Sequence, residues 1–112
     1  MPSAVGGDSS ESVRSRVERA RAVQSERFAK NAGIHINSAM TPRLIKAHCQ
    51  LDTEGSAYLE HAMSDMNFSA RAHDRILKVA RTLADLAGSD RIRPDDILEA
   101  IQYRALDRNL WV

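Results

Sequence analysis

The chain has 112 residues, 43% of them hydrophobic and 28% charged, with 16 Lys and Arg against 15 Asp and Glu for a net charge of +1. That is material for one small globular domain, and the near-neutral balance argues against a strongly electrostatic nucleic-acid binder, which needs a pronounced basic surface. The apolar runs fall well short of the roughly 20 residues that span a bilayer, and "MPSAVGGDSS" carries no apolar signal-peptide core, so a cytoplasmic location without a membrane partner is expected.

Residues 1–8, with Gly6-Gly7 and small polar neighbours, have nothing to bury and read as a disordered leader or an expression remnant. From Ser9 onward every segment reads as helix. Asp8 and Glu11 have capping-box spacing, and Val13, Val17, Ala20 and Gln24 then recur on one face until Asn31-Ala32-Gly33 supplies a stop. This basic helix, 9–32, carries little apolar surface, so it needs a neighbour to lean on. The connector "GIHINSAM" leads to Thr41-Pro42, a cap followed by proline at the first helical position, where its missing N–H does no harm. Leu44, Ile45, His48 and Cys49 mark a short second helix. Asp52 or Thr53 caps a third, whose apolar side is Ala57, Leu59, Ala62, Met63 and Met66.

Ser69 caps the fourth helix, which carries a wide apolar stripe of Ile76, Val79, Ala80, Leu83, Leu86 and Ala87 and stops at Gly88. Pro94 opens the fifth, with Ile97, Leu98, Ile101 and Leu106 facing inward. No segment alternates with strand period. The fold expected is all-α: a small bundle of about four short helices over 41–112, preceded by the longer basic helix, which either packs on the bundle or extends away from it.

Chemistry within the chain is sparse. The glycines, Gly6, Gly7, Gly33, Gly55 and Gly88, begin no G-x-x-x-x-G-K-[ST] phosphate loop. His35, His48, His61 and His73 are spread too widely for ligand spacing on one helix face, so no metal site is expected. Cys49 alone forms neither a disulfide nor a thiolate cluster and reads as a small core residue.

The start of the fourth helix is the chemically pointed feature. With Ser69 as cap, Ala70 and Arg71 occupy the first turn, where unpaired N–H groups and the helix dipole favour an anion. A cation there is locally unfavourable unless an anion joins it. Helical side chains lean toward the N-terminus, so Arg71 adds a guanidinium fork to that site. Arg75 and Lys78 continue the same face, while Asp74 with Lys78 and Arg81 with Asp85 have the spacing of ordinary surface pairs. A plainly solvated Arg71 explains the same pattern without a ligand.

Three separated segments, "SSESVRSRVERARAVQSERF", "MTPRLIKAHCQLD" and "FSARAHDRILKVARTLADLAGSDRIRPDDILEAIQYRALDR", resemble, in that order, the C-terminal region of the magnesium chelatase-like AAA+ ATPases of the ComM/YifB group. The resemblance covers Ser9 to Arg108. It implies the helical lid of a larger ATPase whose nucleotide-binding core lies upstream. In AAA+ proteins the sensor-2 arginine sits near the start of a lid helix and approaches the γ-phosphate of ATP; Arg71 in "SARA" matches that position, with Arg75 as the secondary candidate. The Walker motifs, sensor 1 and arginine finger belong to the core, so this chain alone is expected to have no ATPase activity.

ATP and Mg2+ are then cofactors of the parent, and its core and the neighbouring subunits of a hexamer are the partners. The ComM proteins are linked to DNA branch migration, so the resemblance implies DNA as a partner of the parent too. Other readings compete. "GSDRIRPDDILEAI" also looks like the late helices of histone-type folds, which suits a freestanding DNA-binding or dimerisation module. Against that, Trp111, Tyr58, Tyr103, Phe28 and Phe68 are scattered and form no stacking platform. The amphipathic first helix also allows a purely structural oligomerisation piece.

Overall fold

Local signals set most of the helix starts. The computed structural model describes residues 10–111, with side chains as far as Tyr103. Its elements are α1 (Ser10–Arg27), a 3-10 turn (Asn37–Ala39), α2 (Pro42–His48), α3 (Thr53–Asp65), α4 (Ala70–Leu86) and α5 (Pro94–Trp111). No strand occurs among the described residues, and the chain is all-α as its periodicity predicts. The roles assigned to Asp8, Leu106 and Trp111, and the leader itself, lie outside the described residues or side chains.

Thr41 caps α2, its side chain accepting from Leu44 N at 3.4 Å with Pro42 in the first turn. Asp52, the first of the two candidates, caps α3 by accepting from Gly55 N at 2.7 Å. At α5, Pro94 is preceded by Arg93, whose backbone N–H and guanidinium both donate to the buried carboxylate of Asp96, at 2.9 Å from the backbone nitrogen. A residue three positions into the helix thus reaches back over its start.

Helix α4 is the centre of the molecule. It packs against α5, α1, α2 and the 3-10 turn, while α3 packs on α5. It therefore buries Ala72, Ile76, Leu77, Ala80, Arg81, Ala84 and Asp85, a broader arc than an apolar stripe alone describes. The core joins Ile76, Leu77, Ala80 and Ala84 of this helix to Phe28, Met40, Ile45, Cys49, Leu59, Ile92, Ile97 and Ile101.

Several expectations need correction. Helix α1 ends at Arg27 and passes through turns to Gly33 (φ +81°), so the stop acts after a looser stretch. Helix α1 is also no longer than α5, both having 18 residues, and α4 has 17. Val13, Ala57, Met66, Val79, Ala87 and Leu98 are exposed rather than inward, because a bundle this small does not cover the full width of each stripe. The first helix does pack on the bundle. It buries Ala20 and Gln24 toward α4.

Candidate functional site

The two ends of α4 carry the polar chemistry. At its start, Ser69 has extended backbone angles and its Oγ accepts from Ala72 N at 3.2 Å, while Ser69 O accepts from His73 N at 3.0 Å. The N–H groups of Ala70 and Arg71 have no acceptor inside the helix and face outward. Arg71 and Arg75, one turn apart, are both exposed, and neither forms a hydrogen bond or ion pair among the described residues. Lys78 is different. Its Nζ donates to Ser38 O at 3.1 Å, tying the 3-10 turn to α4 in place of the expected pair with Asp74. Asp74 instead meets His73 Nδ1 at 3.3 Å.

The start of α4 therefore presents two arginines, two free backbone donors and the positive pole of a 17-residue helix on one surface. Such a group binds an anion supplied from outside and needs little rearrangement to do so.

Toward the other end lies a site that sequence spacing did not reveal. Asp85 and Arg81 were expected to form a surface pair; both side chains are buried, at 0% and 4% exposure. Asp85 accepts from Arg27 Nη2 (2.7 Å) and Nη1 (2.8 Å), from Arg81 Nε (3.2 Å) and from Asn37 Nδ2 (2.9 Å). Asn37, itself buried, also accepts from Arg27 and donates to Thr82, and its backbone N–H donates to Gln24 Oε1 at 2.9 Å. Arg81 spends its remaining donors on the carbonyls of Ser89 and Asp90. Burial alone pushes the Asp85 carboxyl up, but the hydrogen bonds from Arg27 and Asn37 and the charges of both arginines outweigh it and hold the group below its ordinary range. This network fastens α1, the 3-10 turn, α4 and the α4–α5 connection to one another.

Gln24 was the available signal: a polar residue on the only apolar face of α1 implies a buried partner. Beside the network, the His48 ring meets Phe28 edge-on with centroids 5.7 Å apart. Burial first, then Arg27 and Arg81, lower the affinity of His48 for a proton. Burial likewise pushes the Cys49 thiol up to about 11, so it stays protonated as befits a core residue. No group of three or more His, Cys, Asp or Glu side chains with metal-holding geometry occurs among the described residues.

The family model for the C-terminal part of magnesium chelatase subunit ChlI matches residues 7–104. The chain belongs to that family. It is similar to competence protein ComM of Haemophilus influenzae, at 38% identity over 104 residues, covering 93% of this chain and 19% of that protein. YifB of Escherichia coli is 40% identical over 106 residues, covering 95% of this chain and 20% of the relative. A protein of Mycobacterium bovis, Mb2921c, is 31% identical over 102 residues, covering 91% and 20%. The chain thus spans about a fifth of the length of the curated relatives it matches. Among the described residues, no helix is long and apolar enough to cross a membrane.

Proposed function

We propose that this chain is the helical lid of a magnesium chelatase-like AAA+ ATPase of the ComM/YifB kind, and that Arg71 is its sensor-2 arginine. The carrying observation is the exposed Arg71 in the first turn of α4, without a partner among the described residues and beside backbone donors that already favour an anion. Kinship with much longer relatives supports the reading, since a protein of their size has room for a nucleotide-binding core.

In this reading the core holds ATP and Mg2+, and Arg71 reaches the γ-phosphate with Arg75 assisting. Triphosphate then favours one lid orientation over others, because only the triphosphate state gains the arginine contact. Hydrolysis removes that difference and releases the lid, and neighbouring subunits of a hexameric ring feel the change. Branch migration of DNA is the work such a motor performs in the parent. A freestanding DNA-binding module draws less support: the exposed Arg14, Arg19 and Arg21 of α1 alternate with Glu11, Glu18 and Glu26 and form no continuous basic track.

The test is Arg71→Ala in the full-length protein. ATP turnover should fall about 10-fold or more, the scale of losing a charge contact to the transition state, while the helical circular dichroism is unchanged. Turnover equal to wild type would remove the sensor assignment. A reading frame upstream of Ser9 lacking G-x-x-x-x-G-K-[ST] would remove the lid reading itself.

A further inference from the structure

Helix α1 meets α4 through two kinds of contact. Along its length it buries Ala20 and Gln24, and so small a surface fixes no angle between helices, because apolar contact has no preferred direction. At its end the contact is directional. Arg27 Nη2 donates to Asp85 Oδ1 at 2.7 Å and Nη1 to Asp85 Oδ2 at 2.8 Å, a fork that sets the plane of the guanidinium against the carboxylate. The same Nη1 donates to Asn37 Oδ1 at 2.9 Å.

The 3-10 turn braces this joint. Asn37 Nδ2 donates to Asp85 and Thr82 of α4, its backbone N–H donates to Gln24 of α1, and the next residue, Ser38, accepts from Lys78 Nζ at 3.1 Å. The Arg27 and Asp85 side chains are 11% and 0% exposed. Apolar residues of similar volume commonly stabilise a fold as well as a buried ion pair does, so stability alone does not account for charge at this place. Hydrogen bonds of fixed length and angle add a single relative orientation of the two helices.

Orientation matters because of what lies at the other end of α4. Arg71 stands fourteen residues before Asp85 on that helix, about 21 Å away at the helical rise per residue. A swing of α4 by about 10° about the network would carry Arg71 through roughly 4 Å, whereas a misplacement of roughly 1 Å can cost a reacting site about 100-fold. By chain order, whatever precedes Ser10 is joined to the bundle through α1.

We propose that Arg27, Asp85 and Asn37 are positioning residues for Arg71, locking α4 to α1 so that the start of α4 is carried at a fixed angle to whatever α1 is joined to. The inference rests on the lid reading above, in which α1 leads from the nucleotide-binding core and Arg71 meets the γ-phosphate. Loosening the network disarms Arg71 without unfolding α4.

The experiment is a double-variant cycle in the full-length protein. Arg27→Lys keeps the charge and loses the fork, since lysine offers one nitrogen in place of two; it should lower kcat and kcat/KM for ATP together by about 10-fold, leaving KM near wild type. Combined with Arg71→Ala it should turn over no more slowly than Arg71→Ala alone, because Arg27 then acts through an arginine that is gone. Asp52→Ala removes the cap of α3, outside the network, and should lower stability while turnover stays at wild type. In the 112-residue chain, spin labels on Ser15→Cys and Ala70→Cys, both exposed positions, with Cys49→Ala, should give one narrow distance that Arg27→Lys broadens. Wild-type turnover in Arg71→Ala would overturn this inference together with the sensor assignment. With Arg71→Ala impaired, four results would each overturn the positioning role alone: wild-type turnover in Arg27→Lys, losses that multiply in the double variant, an equal loss in Asp52→Ala, or a distance that stays narrow.

Discussion

The two ends of α4 use arginine in opposite ways. Arg71 stands exposed beside the Ser69 cap with no partner among the described residues, whereas ten residues on Arg81 is buried and fully engaged. One end is left open for something outside the molecule; the other is closed by the molecule's own groups. The difference arises from what surrounds the helix. At its start one side, with Arg71 and Arg75, is left to solvent while Ala72 and Ile76 are buried; farther along, α1 and the α4–α5 connection converge on it.

Asp85→Ala would break the closed end most severely. It leaves two guanidinium groups without their shared carboxylate in the interior, and removal of one side of a buried ion pair costs about 3–5 kcal/mol. Urea unfolding should show that loss. The folded-state affinity of Asp85 for a proton is depressed, so its contribution is complete above the unfolded carboxyl value of 3.8 and is lost as pH falls through the lower folded value. Acid titration of Asp85→Asn should lack that component of the wild-type transition.

Gly88→Ala sharpens the same end by a smaller amount. Gly88 has φ +76°, and Ser89 N reaches back to Ala84 O at 2.8 Å, so the glycine turns the chain to present the carbonyls that Arg81 holds. A Cβ there meets no atom within 4 Å, which leaves the left-handed backbone as the only penalty, about 1–2 kcal/mol in thermal unfolding. At the open end, Ser69→Ala removes the cap and should cost about 1 kcal/mol, read as a lower urea midpoint at unchanged slope.

Arg71→Ala should change stability least, within about 0.5 kcal/mol, because an exposed side chain without partners has little to lose. A substantial loss of stability would show that Arg71 has a structural partner and would blur the contrast between the two ends.

How much of this was legible follows sequence separation. Thr41, Asp52 and Ser69 act on backbone groups three residues away, and Pro42, Pro94 and Gly88 act through their own backbone, so local rules suffice to find them. Arg27 and Asp85 are 58 residues apart, and Asn37 and Asp85 are 48 apart. No local rule joins those positions. The spacing of Arg81 and Asp85 was visible, but the same i,i+4 geometry serves a solvated face or a buried one, and only the placement of α1 decides which. Arg71 was identifiable because its oddity is local: a cation in a first turn whose unpaired N–H groups already carry partial positive charge. Leu98 and Met66 were misplaced because periodicity marks the apolar side of a helix without saying how much of it a neighbour covers.

Helix α1 is held by a few small or polar side chains, with Ala20 and Gln24 buried along its length and Arg27 and Phe28 at its end, whereas α4 is gripped by apolar neighbours from several sides. The two helices should therefore open on different clocks. In native-state hydrogen exchange, the amides of α1 should exchange by a local detachment well before global unfolding, and those at the centre of α4 only with it. Each such detachment admits water to Asp85, so a carboxylate that accepts four hydrogen bonds in the folded chain gains access to solvent whenever α1 lets go.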